Sequence, residues 1–275
     1  MGNLWKGFKE HRTFRFTSLL VILLIALVVL APVIAPYNPL EAVMKDANQA
    51  PSMAHLFGTD KLGRDVLSRI LYGGAYSLSS VLALVAIIFC VGTFLGLVAG
   101  YFGGLIDTVI MRVADMMISF PGVILAIAIA GIMGGSLVNA MIALTAVTWT
   151  KYARLSRSMV LKIRKRDFVD AAIVSGGTSS HILWTHIMPN VVPILVITAV
   201  SDIGAMMMEL AGLSFLGFGS QPPAPEWGLM LNEGRQQLQT APCLMAFLGV
   251  AILISVVIFN LWGDALRDVL DPRDQ

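Results

Sequence analysis

Among the long stretches of this chain that contain no Lys, Arg, Asp or Glu are residues 16–40, 70–106, 116–150 and 236–263. A hydrocarbon layer about 30 Å thick is crossed by roughly 20 helical residues, so each stretch has room for at least one span. Only 13% of the residues are charged and 57% are hydrophobic, whereas soluble domains carry roughly 25% charge. A compact soluble domain of 275 residues could not be given a polar skin from this composition. Disorder is excluded by the abundance of Leu, Ile and Val. A disulfide-stapled module is excluded because Cys90 and Cys243 are the only cysteines and both sit in apolar runs, where a small buried hydrophobe is the default reading.

The uncharged run 116–150 is interrupted by Gly131, Gly134 and Gly135, which divides it between two helices. A further segment, 191–214, is apolar apart from Asp202 and Glu209. The expectation is therefore an all-α polytopic membrane protein with six spans, at about 16–36, 77–100, 108–133, 137–158, 191–214 and 242–263. The first apolar stretch, Phe16 to Ala35, exceeds the roughly 7–15 residues of a secretory signal core and reads as an uncleaved anchor. With the N-terminus inside, 14 of the 19 basic residues fall on the inner side and 5 outside. The outer four nearest the first span are balanced by Glu41, Asp46, Asp60 and Asp65. This asymmetry places both termini in the cytoplasm. The net charge of +2 is too small to argue for nucleic acid. The organisation that follows is residues 1–36 as N-terminus and first span, 37–76 as an extracytoplasmic loop, 77–264 as the main membrane domain, and 265–275 as a cytoplasmic tail.

Two loops are longer than plain connections need. The outer one, 37–76, holds a short amphipathic helix in which Thr59 caps, Leu62, Val66 and Ile70 share a face, and Asp65 pairs with Arg69 at i,i+4. The inner one, 159–190, is the most polar stretch of the chain and follows a run with seven basic residues in 151–166. Residues 165–175 read as a short helix in which Ala171 and Ala172 permit close approach. Gly176 and Gly177 allow a left-handed turn. A second short helix, about 178–187, presents Ile182, Leu183, Trp184 and Ile187, and Pro189 and Pro193 then open the fifth span. Such a hairpin suits a docking knob for a cytoplasmic partner and equally suits an ordinary surface hairpin.

The series Asp170-Ala171-Ala172, three residues, Gly176, and Pro189 thirteen positions on resembles the coupling motif of ABC importer permeases, with Asp170 in place of the usual Glu. His186-Ile187-Met188-Pro189-Asn190 is similar to the version in the peptide/nickel branch. So are His55-Leu56-Phe57-Gly58-Thr59-Asp60 with Gly63-Arg64-Asp65, Met111-Arg112-Val113-Ala114-Asp115 with Ser119-Phe120-Pro121, Leu213-Ser214-Phe215-Leu216-Gly217, and Gly263-Asp264-Ala265-Leu266-Arg267-Asp268 with Asp271-Pro272. Together these blocks cover about 16–273. The resemblance implies the type I importer permease fold and one half of a pore in the cytoplasmic membrane of a bacterium or archaeon. It also implies a second homologous permease, two cytoplasmic ATPase subunits and an extracytoplasmic solute-binding protein. Asp170, Ala171, Ala172, Gly176, Gly177, His186 and Pro189 would couple to the ATPase. Cargo in this branch comprises dipeptides, oligopeptides and nickel or its chelates. The Met111–Met116 block and Ser201-Asp202-Ile203-Gly204 lean mildly toward nickel-type members.

No Gly-x-x-x-x-Gly-Lys-Ser/Thr phosphate loop occurs in the sequence, so this chain is expected to hold no cofactor, with ATP and Mg²⁺ on the partner ATPases. Its four histidines are scattered and no serine–histidine–aspartate spacing is recognisable, so neither a metal site nor an enzyme is expected. Asp202 and Glu209, seven residues apart on the fifth helix, share a face. Ionisable groups inside a span are functional candidates by default. With the run Met206-Met207-Met208 they are candidates to line the translocation path. The competing reading makes Asp202 a hydrogen-bonded packing residue between helices. Arg112 and Asp115 are expected to pair at i,i+3, Gly92, Gly96 and Gly100 to mark a close helix crossing, and Asn260 and Asp264 to pack or gate. An ion-coupled secondary transporter or channel is the alternative class, though it leaves the 159–190 loop without a role.

Overall fold

The computed structural model describes residues 11–270. Lys6, Lys9, Arg273 and the Asp271-Pro272 pair lie outside the described residues. Eleven helices account for the ordered core among them: α1 Arg12–Val29, α2 Ala31–Ile34, α3 Val66–Phe102, α4 Gly104–Ile118, α5 Gly122–Met133, α6 Leu137–Ile163, α7 Asp167–Val174, α8 Ser179–Ile182, α9 Met188–Phe215, α10 Trp227–Arg235 and α11 Pro242–Leu270. The all-α expectation holds among the described residues, where the single β-type pairing is an isolated bridge between Thr59 and Asp65.

Four helical runs are long and apolar enough to cross a bilayer: α1, α3, the continuous run Ser179–Phe215 and α11. The bent pair α4 and α5, which meet at 94°, is either one broken span or a re-entrant loop, so among the described residues four, or at most five, of the six expected spans are met by length and composition. The sixth helix, α6, has 27 residues, about 40 Å at 1.5 Å each. Its second half carries Lys151, Arg154, Arg157 and Lys162, so it is long enough to cross a bilayer but is not one of the apolar spans.

The expected straight span 108–133 is therefore corrected to two helices. Pro121 lacks an N–H and disfavours helical geometry at the residue before it. The chain turns through Ser119 to Pro121, and Gly103 and Gly104, at φ +67° and +56°, free α4 at its other end.

The outer loop is also corrected. The helix expected from Thr59 begins at Val66 and runs unbroken into the second span. Its cap is Asp65, whose carboxylate accepts the Ser68 N–H at 2.8 Å. Thr59 instead accepts the Gln49 N–H at 2.8 Å. Arg69 does not pair with Asp65 but turns to Asp60 and Glu233.

The scaffold is set by the α3–α6 crossing, as the glycine spacing anticipates. A Cβ on Gly92 would sit 2.5 Å from the Trp149 carbonyl oxygen, and one on Gly96 2.3 Å from that of Ala153. One on Gly100 would meet Val160 Cβ at 2.8 Å. No larger residue fits while these backbones touch, which is how small residues hold membrane helices together. The same logic joins α9 to α11, where Gly204 abuts Asn260 and Gly263 abuts Ser201.

The start of α1 lies against the end of α11. Phe14 packs with Ala265, Leu266 and Val269, and the Trp262 indole N–H donates to Ser18 Oγ at 3.1 Å. Both ends of the described chain thus share one end of the bundle.

Candidate functional site: the 167–187 hairpin and the open face of α9

The inner loop folds as the sequence suggests, with two differences. The first helix, α7, is shorter than expected and begins at Asp167. The second does not stop at Ile187 but continues through a π-turn, Leu183–Ile187, directly into α9. The cause is local. Pro189 and Pro193 have no N–H, so two carbonyls of the preceding turns lose their helical donors. Widening of the helix accommodates this, and the Asn190 side chain adds a hydrogen bond to the His186 carbonyl at 2.7 Å.

Between the two helices Gly176 adopts φ +82°, the left-handed geometry that closes a helix C-terminus. The Gly177 N–H donates to the Ala172 carbonyl at 3.0 Å. A Cβ on Gly177 would approach that oxygen to 2.9 Å. Thr178 Oγ1 accepts the His181 N–H at 3.3 Å and caps the second helix. Val169, Ile182, Leu183 and Ile187 are buried and anchor the hairpin to the bundle.

The opposite face is exposed and apolar. Phe168, Ile173, Val174 and Trp184 all point outward, Val174 with 88% of its surface free. Asp170 and Ala171 lie on this open side, and Ala172 is half-buried. His186 is half-buried with its ring edge-on to His181, centroids 5.7 Å apart. Pro189 is exposed within the helical run. The geometry brings the seven coupling candidates onto one projection.

Asp202 occupies a different environment. Its carboxylate receives both contacts of the Lys151 ammonium, at 2.7 Å each, and the Tyr152 hydroxyl at 2.9 Å. The interaction ties α9 to α6. Glu209 is half-buried and lines an open groove of about 350 Å³ with Val123, Leu144, Met208 and Phe215. The methionine run is divided: Met206 and Met207 belong to the subunit's own core, and Met208 is 56% exposed on the open face.

Asp115 pairs with Arg154 at 2.8 Å and not with Arg112, which corrects the expected i,i+3 pair. The Arg157 guanidinium reaches Asp107 with 2.6 Å between Nη2 and the carboxylate. These two contacts fasten α4 to α6. Arg112 lies on the same helix without a share in them.

A buried charge cluster at the far end of the bundle was only half legible in the sequence. Arg64 Nε donates to Asp60 at 2.6 Å and its Nη2 to Glu233 at 3.0 Å. Arg69 Nη1 donates to the same two carboxylates. His55 Nδ1 and Asp65 lie 2.9 Å apart. Arg64, Arg69, Asp60 and Asp65 are each at most 5% exposed. The cluster locks the loop 37–65 onto α10, whose N-cap is Glu226. That carboxylate accepts the Gly228 and Leu229 N–H groups at 2.8 Å. Burial pushes the Glu226 carboxyl above the ordinary glutamate range, partly opposed by those two hydrogen bonds. A charge-alternation signal in Asp60, Arg64, Asp65 and Arg69 was visible, but its partner Glu233 is far away in the chain.

Among the described residues no group of three or more His, Cys, Asp or Glu side chains could hold a metal ion.

Comparison with known proteins agrees with this architecture. Residues 92–273 match the family described as binding-protein-dependent transport system inner membrane component. Residues 1–51 match the N-terminal TM domain of oligopeptide transport permease C. The chain is 40% identical to a glutathione transport system permease protein of Pectobacterium atrosepticum, over 98% of this chain and 90% of the relative. It is 39% identical to a dipeptide transport system permease protein of Alkalihalophilus pseudofirmus, over 98% and 88%. It is 42% identical to the nickel transport system permease protein of Escherichia coli K12, over 93% of each. The fold matches a chain of the inward-facing MetNI methionine ABC transporter with a TM-score of 0.58 at 20% identity, covering 75% of this chain and 97% of that one. The blocks read along the sequence, the hairpin they build and these relatives converge: the chain belongs to the family of binding-protein-dependent inner membrane components, in the peptide/nickel branch of ABC importer permeases.

Proposed function

We propose that this chain forms one half of the pore of an ATP-driven importer that brings small peptides, free or as nickel chelates, across the cytoplasmic membrane by alternating access. It would work with a second homologous permease, two ATPase subunits that carry ATP and Mg²⁺, and an extracytoplasmic solute-binding protein. The hairpin 167–187 and both termini would lie in the cytoplasm, in line with the distribution of basic residues. The observation that carries this reading is the hairpin itself. Its inner face is anchored by Val169, Ile182, Leu183 and Ile187, while Phe168, Ile173, Val174 and Trp184 stay uncovered. An apolar surface of this kind, at the end of a membrane bundle, suits a protein partner.

Because the second helix of the hairpin is continuous with α9, a displacement of the knob would be transmitted along that helix to the open face carrying Asp202, Met208 and Glu209. Deletion of 170–187 or Gly176→Pro is expected to abolish co-purification of the ATPase and uptake while the protein still inserts. Normal ATPase capture by the deletion variant would refute the coupling role.

Glutathione and dipeptide permeases stand among the relatives, which favours a peptide-like cargo. A nickel permease at 42% identity favours a second reading, nickel itself. Uptake of labelled nickel by the assembled complex, with and without a competing dipeptide, separates the two. For the path, Asp202→Asn and Glu209→Gln should each slow uptake. If cargo affinity and rate are unchanged in both, neither residue lines it.

A further inference from the structure

His181 and His186 stand five residues apart in the second helix of the hairpin. In a regular α-helix of about 3.6 residues per turn, that spacing sets two side chains about 140° apart around the axis, on different faces. Here the two imidazoles meet instead, with ring centroids 5.7 Å apart and ring planes at 82°. The cause is the π-turn Leu183–Ile187, in which the Met188 N–H reaches back to the Leu183 carbonyl. The wider turn carries His186 round toward the face that bears His181.

Both residues are held in place by their neighbours. Thr178 Oγ1 accepts the His181 N–H at 3.3 Å, and the Asn190 amide donates to the His186 carbonyl at 2.7 Å. Ile182, Leu183 and Ile187 are buried between them. Thr185 Oγ1 lies 3.4 Å from His181 Nδ1, and a hydroxyl that takes the Nδ1 proton leaves the Nε2 lone pair free for a metal. His181 is exposed and His186 half-buried, so an ion in solution reaches the pair.

We propose that this pair is a binding site for a divalent transition cation, Zn²⁺ by its geometry. Two imidazoles on one tetrahedral Zn²⁺, with Zn–N distances of about 2.0–2.1 Å, have ring centroids about 5 Å apart. A small side-chain rotation closes the observed 5.7 Å to that value. Among the described residues no third His, Cys, Asp or Glu groups with the two, so water takes the remaining positions. Mg²⁺ and Ca²⁺ are excluded by chemistry, since hard cations take oxygen ligands. The histidines part if the hairpin returns to α-helical register. The ion therefore binds the π-turned form and stabilises it by mass action, bracing the junction between the hairpin and α9. The site goes beyond the importer reading and does not depend on it.

The test is competition for Zn²⁺ between a chromophoric chelator and the full-length permease in detergent, purified without a polyhistidine tag and stripped of metal. Wild type should take one Zn²⁺ per chain, undisturbed by excess Mg²⁺. His181→Gln and His186→Gln should each weaken binding by about tenfold or more, and His11→Gln should bind as wild type. Pro189→Ala keeps both histidines but returns an N–H to the helix, and it should weaken binding too. Wild-type affinity in that variant would overturn the part given to the π-turn. X-ray absorption at the zinc edge of wild type, which needs no variant to fold, should show two imidazoles with oxygen completing the shell. The site is overturned by no Zn²⁺ uptake in wild type, by unchanged affinity in either histidine variant, or by a shell with fewer than two imidazoles. ATPase capture enters none of these readouts, so failure here is distinct from failure of the coupling role.

Discussion

Arg69 Nη1 lies 3.0 Å from the Glu233 carboxylate although 164 residues separate them in the chain. The contact joins the start of α3 to α10 and, through Asp60, holds the loop 37–65 against both. Among the described residues Arg69 Nε and Nη2 have no partner in a buried site, so the pair already carries part of the cost of burying a guanidinium.

Removing one member of such a cluster leaves the others uncompensated. Arg69→Met should destabilise the protein by about 3 kcal/mol, because Asp60 and Glu233 would then share Arg64 alone. The thermal unfolding midpoint in detergent reports this, and proteolysis within 37–65 should accelerate. An unchanged midpoint would mean that the cluster is not coupled to global stability.

The α3–α6 crossing makes a second prediction. Gly96→Val places side-chain atoms where the Ala153 carbonyl oxygen already stands 2.3 Å from the first added carbon. A loss of about 1–3 kcal/mol is expected from overpacking. Gly249→Ala on α11 meets nothing within 4 Å and should gain up to about 1 kcal/mol through helix propensity. Opposite signs for the two glycine substitutions in one unfolding assay are the expected outcome.

Lys151 and Asp202 should show a modest coupling. The lysine side chain is 53% exposed, so solvent screening holds the pair to about 0.5–1 kcal/mol. A double-mutant cycle with Lys151→Met and Asp202→Asn measures it, the double variant being more stable than the sum of the single losses implies.

Gly176→Val should cost about 1–2 kcal/mol, because a residue with a Cβ is strained at φ +82°. Val174→Ser should leave unfolding unchanged, since the side chain touches little, yet weaken ATPase capture if the apolar face is the docking surface. Pull-down of the ATPase by the two variants checks this directly.

Glu226 gives a pH dependence. Its carboxyl is raised in the folded protein by burial, so the unfolded chain releases this proton first as pH rises. The folded state binds more protons between the ordinary value near 4.5 and the raised one, and this group's contribution to stability therefore falls as pH rises through that window. Glu226→Gln should flatten the slope of the unfolding midpoint over that interval.

Spans and hairpin were legible because their determinants are local. The uncharged runs, the Asp170-Ala171-Ala172 to Gly176 spacing and the glycines at 92, 96 and 100 act within a few turns of chain. The break at Pro121 was readable in principle, but an apolar run on both sides masked it. Continuity of the hairpin with α9 was hidden by the two prolines, which read as a helix start and are carried within the run by a π-turn and the Asn190 side chain.

Partners of charged groups were not legible. Asp65 and Arg69 at i,i+4, and Arg112 and Asp115 at i,i+3, have the spacing of helical pairs, yet Arg69 turns to Asp60 and Glu233 and Asp115 to Arg154. The sequence by itself determined the solvent, most of the helices and the place of the 167–187 hairpin, since hydrophobic length and turn chemistry operate along the chain. Only the tertiary structure decided which charges cancel and which stay open. Coulombic and hydrogen-bond partners are chosen by distance in space, and α6, α9, α10 and α11 bring them together from far-apart segments.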